Sequence, residues 1–346
     1  SEHLDNILSQ PDGFHPTGTP FFYTLFHLAC TEDFDADYRR FQTSVVFCYV
    51  AALYLLCVLR GVSWVESVVI GILWTRVFYP YWIDLYFANV NGLQVFLMTV
   101  FLCLRARPTT ALRAFASGAL LAFMLFLKPT LLFCTAVGIY WIVRETPREI
   151  FLTTAGAVLM AAFALFLPGY VLGDSCEWSD WLRRMGSTLA HYEEMSGSLF
   201  NWTADAGHMS KAAVIVGSLA GMAVLFLFFW SRRAEFLARR SAFPYVRREE
   251  GLIFCLGAGV YILMSPLVWY YYFVLLAPLF IALMPGKNGG LWEHPPMVWG
   301  RRAALANCFG MLAYHPPMNL GAMPELVIPL LGAQLLVGLG IAEVVR

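Results

Sequence analysis

Apolar runs recur along the whole chain, at about 42–60, 63–79, 92–104, 114–127, 130–143, 150–172, 210–230, 251–269, 270–285, 303–314 and 325–343. A full bilayer crossing takes roughly 20 residues, so some runs are complete spans and others reach only partway. So many runs cannot be hidden in one soluble core. Hydrophobic residues make up 59% of the chain and charged residues 13%, with a mean hydropathy of +0.64, against roughly 45–50% apolar residues in soluble domains. The sequence therefore predicts an all-α, polytopic transmembrane bundle, a single domain over 1–346 with about 11 spans or half-spans. Its formal net charge is zero, and nothing in that balance attracts nucleic acid. The lipid bilayer is the first expected partner.

The position of charge sets the threading. Basic residues gather at Arg60, at Arg105, Arg107 and Arg113, at Arg144 and Arg148, between Arg232 and Arg248, and at Lys287, Arg301 and Arg302. By the positive-inside rule these loops face the cytoplasm. Residues 1–40, 80–91, 173–209 and 315–324 then lie outside. With the amino terminus outside and no span before it, a first membrane helix is expected to precede the chain. Segment 1–40 forms a first outer loop with an interfacial helix, in which FHPTGTPFFYTLF (Phe14 to Phe26) is too short to cross. Segment 173–209 is a long outer loop whose SDWLRRMGSTLAHYEEM portion has the spacing of a helix lying along the interface. The eight cysteines show no metal-ligand spacing and read as small apolar fillers.

Between Arg113 and Arg144 lie only thirty residues, interrupted by Lys128-Pro129-Thr130. Each half reaches roughly 20 Å at 1.5 Å per residue, short of the ~30 Å hydrocarbon core. Two half-length helices that turn within the membrane leave a depression open to the outer side, with irregular backbone tolerated where it meets protein or water. Lys128 then lies either at the floor of that cavity, as an intramembrane functional cation, or at a helix end from which it snorkels.

The same threading collects polar groups at one mouth: His15, Asp84, Asn89, Asn91, Gln94, Lys128, Trp269 with Tyr270 to Tyr272, and Arg76 near the outer end of its run. A transporter places polar groups at the midplane between repeats, and no such repeat is visible. Lys128 and Arg76 can pair with phosphate oxygens. Amide side chains can hold hydroxyls and aromatic faces can stack on sugar rings. Trp269 to Tyr272 fits an interfacial aromatic belt equally well.

Several of these segments, in order, resemble a known family. FHPTGTPFFYTL is similar to the segment after the first outer loop of C-superfamily membrane glycosyltransferases. LYFANVNGLQVFLMTVFLCL with ASGALLAFMLFLKPTLLF, and then SPLVWYYYFVLLAPL, resemble successive elements of glycosyltransferase family 87, and GSLFNWTADAG resembles its long-loop element. The resemblance implies a GT-C-like fold with an outer-face loop and interfacial-helix layer over a membrane-embedded cavity. It implies transfer of a mannosyl, arabinosyl or related sugar from a polyprenyl-phosphate donor to a lipid or polysaccharide acceptor, on the periplasmic face of a bacterial inner membrane. In such an inverting transfer a carboxylate takes the acceptor proton while cations assist the departing phosphate. Asp5 is the nearest candidate for that base. Lys128, Arg76, Tyr271 and Tyr272 would bind the donor phosphate, and His15, Asp84, Asn89, Asn91, Gln94 and Trp269 the sugar or acceptor. No cofactor is expected, and no metal if Lys128 and Arg76 supply the positive charge. Tyr271 and Tyr272 stand where relatives carry paired histidines. Two further readings stay open: a ligase or polymerase of the O-antigen type, acting on a diphosphate-linked oligosaccharide with Arg183 and Arg184 in its outer loop, and a lipid or solute transporter.

Overall fold

The computed structural model describes residues 18–31, 33–106, 110–173, 178–183, 248–264, 270–284, 295–313 and 324–345, and among them there is helix and no strand. The chain is thus an all-α membrane protein. Its first described helix, α1 (Pro20–Ala29), opens with Thr19 as N-cap and a proline in the first turn, where the missing N–H costs nothing. Phe21 sets its ring edge-on against Phe123 and Phe163, which seats α1 on two later helices.

Helix α2 (Phe34–Arg60) starts inside the segment expected to be outer loop. Asp33 accepts a hydrogen bond from the Ala36 N–H at 3.0 Å, and Asp35 and Asp37 occupy the first turn, so the acidic stretch suits the positive end of a helix. Gly61 ends it in the left-handed conformation, φ 69°. The run 63–79 is not one helix: α3 (Trp64–Ile72) passes into a π-helical turn, Leu73–Val77, and a new helix, α4 (Tyr79–Tyr86), follows Phe78. Helices α4 and α5 (Asn91–Arg105) are bent by 112° to one another.

Two hairpins build the centre. The first runs up α6 (Ala111–Leu127), breaks at Lys128, and returns through a 3-10 segment, Pro129–Ala136, and α7 (Val137–Arg144). Long helix α8 (Pro147–Leu172) follows. The second comprises α9 (Arg248–Met264), a 3-10 segment, Tyr270–Leu276, and α10 (Ala277–Leu283). The arms are nearly matched, at 17, 8 and 8 residues against 17, 7 and 7. Helices α11 (Pro295–Leu312) and α12 (Pro324–Val345) pack beside the second hairpin. Of the described single helices, α2 and α8 are long and apolar enough to cross a membrane.

That the first hairpin returns to its own side is fixed by an ion cluster. Arg105, at the end of α5, donates from Nε to Glu250 Oε1 of α9 at 2.5 Å and from Nη2 to Glu145 Oε1, just past α7, at 2.7 Å. Trp141 Nε1 also donates to Glu250 Oε1 at 2.6 Å, and its ring lies 5.0 Å from the Arg105 guanidinium. Arg60 reaches the Met284 carbonyl at 2.7 Å, and Arg301 pairs with Glu343 at 3.6 Å. The first hairpin therefore ends near Arg105 and turns at Lys128 away from it, as the short run between Arg113 and Arg144 predicts, and the second begins near Arg105 at Glu250.

Helices α6 and α8 meet backbone to backbone. A Cβ on Gly118 would stand 1.8 Å from the Thr153 carbonyl oxygen, and one on Gly156 would stand 2.1 Å from that of Phe115. Small residues serve this purpose in membrane bundles, where dispersion and close approach replace the hydrophobic effect between helices. Gly257 of α9 meets the 3-10 backbone at Cys134 in the same way, at 2.4 Å.

Candidate functional site

The site grows from one proline. Pro129 has no N–H to continue the ladder of α6, and its ring drives the preceding residue out of the helical region. Lys128 accordingly has φ −160° and ψ 126°, and its N–H makes the last helical bond, to Met124 O at 3.2 Å. Gln94 of α5 braces both sides of the break. Its Nε2 donates to the Lys128 carbonyl at 3.1 Å, and its Oε1 accepts from Thr130 Oγ1 at 2.8 Å.

The Lys128 side chain is 4% exposed. Its Nζ donates to Asn91 Oδ1 at 3.2 Å and to Asn89 Oδ1 at 3.4 Å, and it lies 4.5 Å from the Tyr272 ring centroid and 5.6 Å from that of Tyr271. Among the described residues Lys128 takes part in no ion pair. The nearest structural anion stands one residue behind: Asn91 Nδ2 donates to Asp84 Oδ1 at 2.7 Å, and Gly92 N donates to Asp84 Oδ2 at 3.0 Å. Asp84 thereby satisfies the free N–H at the start of α5, where a negative charge is favoured. Its own carbonyl accepts from Asn89 N at 2.9 Å, and the turn between is tight enough to hold Ala88 at φ 50°. Tyr271 stands edge-on to Tyr272, ring centroids 4.9 Å apart. Asn89 and Tyr271 are half-buried while Asp84, Asn91, Gln94 and Tyr272 are buried, so the open side of the cluster is the Asn89–Tyr271 side.

A second set of contacts straps the opening segment to this break. Thr19 Oγ1 accepts from Phe22 N at 3.1 Å and donates to the carbonyls of Phe126 and Leu127 at the end of α6. The helical segment 178–183 closes over it: Trp181 Nε1 donates to the Gly18 carbonyl at 2.7 Å, and Trp178 stands edge-on to Phe126 with centroids 5.5 Å apart.

Of the residues expected at the site, Asp84, Asn89, Asn91, Gln94, Lys128, Tyr271 and Tyr272 converge. They do not play one role. Asp84 spends its oxygens on Asn91 Nδ2 and Gly92 N, and Gln94 spends its amide on the Lys128 carbonyl and Thr130 Oγ1, so that of the three only Asn91 meets Nζ. Arg76 lies apart, exposed at the end of the π turn, with no hydrogen bond to the cluster among the described residues. Asp5, His15 and Trp269 lie outside the described residues, as does most of the loop 173–209. Thr130, Thr19 and Trp181 were not expected from sequence. Thr19 carried one signal, a threonine directly before a proline that opens an apolar helix.

A buried ammonium held by amide oxygens and aromatic faces is a donor that an anion can meet. Phosphate oxygens are the acceptors such a donor fits. Residues 16–246 match the family model of glycosyltransferase family 87. No curated protein and no solved structure gives a match.

Proposed function

The chain belongs to glycosyltransferase family 87, and from that premise and the Lys128 cluster we propose that it transfers a sugar from a polyprenyl-phosphate donor to a lipid or polysaccharide acceptor, at the outer face of the membrane. The observation that carries this reading is a buried lysine that, among the described residues, has four neutral partners and no direct carboxylate, at the turn of a membrane hairpin. The arginines at the end holding Arg60, Arg105 and Arg301 suit a cytoplasmic face, which supports an outer position for Lys128.

In the proposed reaction the acceptor hydroxyl gives its proton to a carboxylate, with Asp5 as the candidate, and its oxygen bonds to the anomeric carbon. The bond from that carbon to the phosphate oxygen breaks, and the electron pair leaves with the phosphate. Lys128 meets the growing negative charge with an ammonium that is already oriented, which lowers the barrier without reorganisation at the moment of transfer. Tyr271 and Tyr272 contribute neutral hydroxyls and ring faces where relatives have histidines, so the positive charge rests on the lysine.

The test is transfer by the purified full-length protein from polyprenyl-phosphate mannose, arabinose and glucose to extracted membrane lipids and glycans. At least one donor is expected to support transfer in the natural protein, and that transfer is expected to fall roughly 100-fold or more in Lys128→Met. Transfer only from a diphosphate-linked oligosaccharide would replace this reading with the ligase type.

A further inference from the structure

We propose that Asp84 and Asn91 are positioning residues, a carboxylate–amide pair that aims the Lys128 ammonium at the donor phosphate and keeps the carboxylate itself off that ammonium; this rests on the phosphate reading of Lys128. The argument begins with the two-faced amide of Asn91. Its oxygen can only accept and its nitrogen can only donate, whereas an ionised carboxylate can only accept and an ammonium can only donate. Asp84 Oδ1 takes the amide nitrogen at 2.7 Å, which leaves the amide oxygen to face Lys128 Nζ at 3.2 Å. Without Asp84 the amide is free to turn its N–H groups toward the ammonium. Asp84 is itself immobile, fixed by Gly92 N at 3.0 Å on a backbone where an added Cβ at Gly92 would stand 2.8 Å from Val45 Cγ1.

The order of groups matters as much as their presence. An acidic side chain at position 91 would pair directly with Lys128 and occupy the charge that phosphate needs. With the amide interposed, the anion steadies the ammonium through a dipole, and the one N–H of Nζ not taken by Asn91 or Asn89 is left for a ligand. Asn89 bonds the same Nζ at 3.4 Å from the half-buried side, so the direction that remains runs toward the Tyr271 edge.

A role in folding alone, as a cap on α5, is separated from positioning by a double-mutant cycle. Full-length protein in lipid nanodiscs is titrated with polyprenyl monophosphate lacking sugar, and transfer kinetics are measured with the sugar-bearing donor. Asp84→Asn keeps shape and the bond from Gly92 but offers an N–H to Asn91. It should raise the Kd for polyprenyl monophosphate and the KM for donor about tenfold, with kcat changed less. In a Lys128→Met background the same substitution should add no further loss of binding. Equal losses with and without Lys128 would overturn the positioning role and leave a cap. Asn91→Leu, close to the native side chain in size, gives the same cycle should Asp84→Asn not fold. The exchange Asp84→Asn with Asn91→Asp restores every hydrogen bond but puts the carboxylate on Nζ; weak binding is expected to persist, and recovery of native affinity would overturn the proposal. If Lys128→Met alone leaves polyprenyl monophosphate binding unchanged, the phosphate reading itself fails.

Discussion

Arg105 and Lys128 are buried alike, at 2% and 4% exposure, at opposite ends of the same hairpins, yet their surroundings differ in kind. Arg105 sits between Glu145 and Glu250, two carboxylates from two other segments, with Trp141 over its plane. Lys128 sits between two amide oxygens and two tyrosine rings, and the one buried carboxylate nearby among the described residues is turned away behind Asn91. A cation whose charge is cancelled by close carboxylates ties helices together. One held by dipoles is equally fixed in place and remains electrostatically incomplete. Burial and charge alone would have classed the two together; the protonation chemistry of the partners separates them.

The largest effect expected from this contrast is at the cancelled cation. Arg105→Met takes the guanidinium away from two buried carboxylates, and removing one partner of a buried ion pair costs about 3–5 kcal/mol; thermal unfolding in detergent should show little folded protein. Lys128→Met should do the reverse: transfer falls roughly 100-fold or more, as when a preorganised donor is lost from an anion site, while Tm holds or rises because an apolar chain replaces a buried cation. If Lys128→Met unfolds the protein, the distinction between the two ends is broken. Gly118→Ala tests the frame between them. Its methyl group meets the Thr153 carbonyl, so α6 and α8 must part at a cost of about 1–3 kcal/mol, read as a lowered Tm with the Arg105 cluster intact. Thr19→Val is the mildest. It removes a cap shared by α1 and the end of α6, worth about 1 kcal/mol, and should lower Tm slightly while raising the donor KM through the adjoining Lys128.

Much of this was legible from spacing. Thirty residues between two arginines, broken by Lys-Pro-Thr, suffice to predict a hairpin with a lysine at its turn, because span length is a hard constraint. The polar stretch from Asp84 to Gln94 announced a site for the same reason, polar groups being rare in apolar sequence. What sequence did not disclose was which of these groups face outward. The inward turn of Asp84 and Asn91 depends on the 112° bend after α4, which has no periodic signature. Nor does spacing reveal that Arg105 pairs with residues 40 and 145 positions away; in the sequence Arg105 reads only as one of the basic residues of a cytoplasmic loop. The early start of α2 was missed because Asp33, Asp35 and Asp37 look like loop residues unless they are recognised as a helix's first turn.

The length of α6 has a consequence of its own. Its 17 residues, at about 1.5 Å each, fix how far Lys128 stands from the Arg105 end, as a gauge stick fixes a depth. The phosphate of the proposed lipid-linked donor rides at a height set by the leaflet, whereas the ammonium rides at a height set by the chain. The two coincide only over a certain bilayer thickness. A protein whose α6 lost one turn, about 5.4 Å, would be matched to a thinner membrane, so the lipids around the protein become a variable of its catalysis.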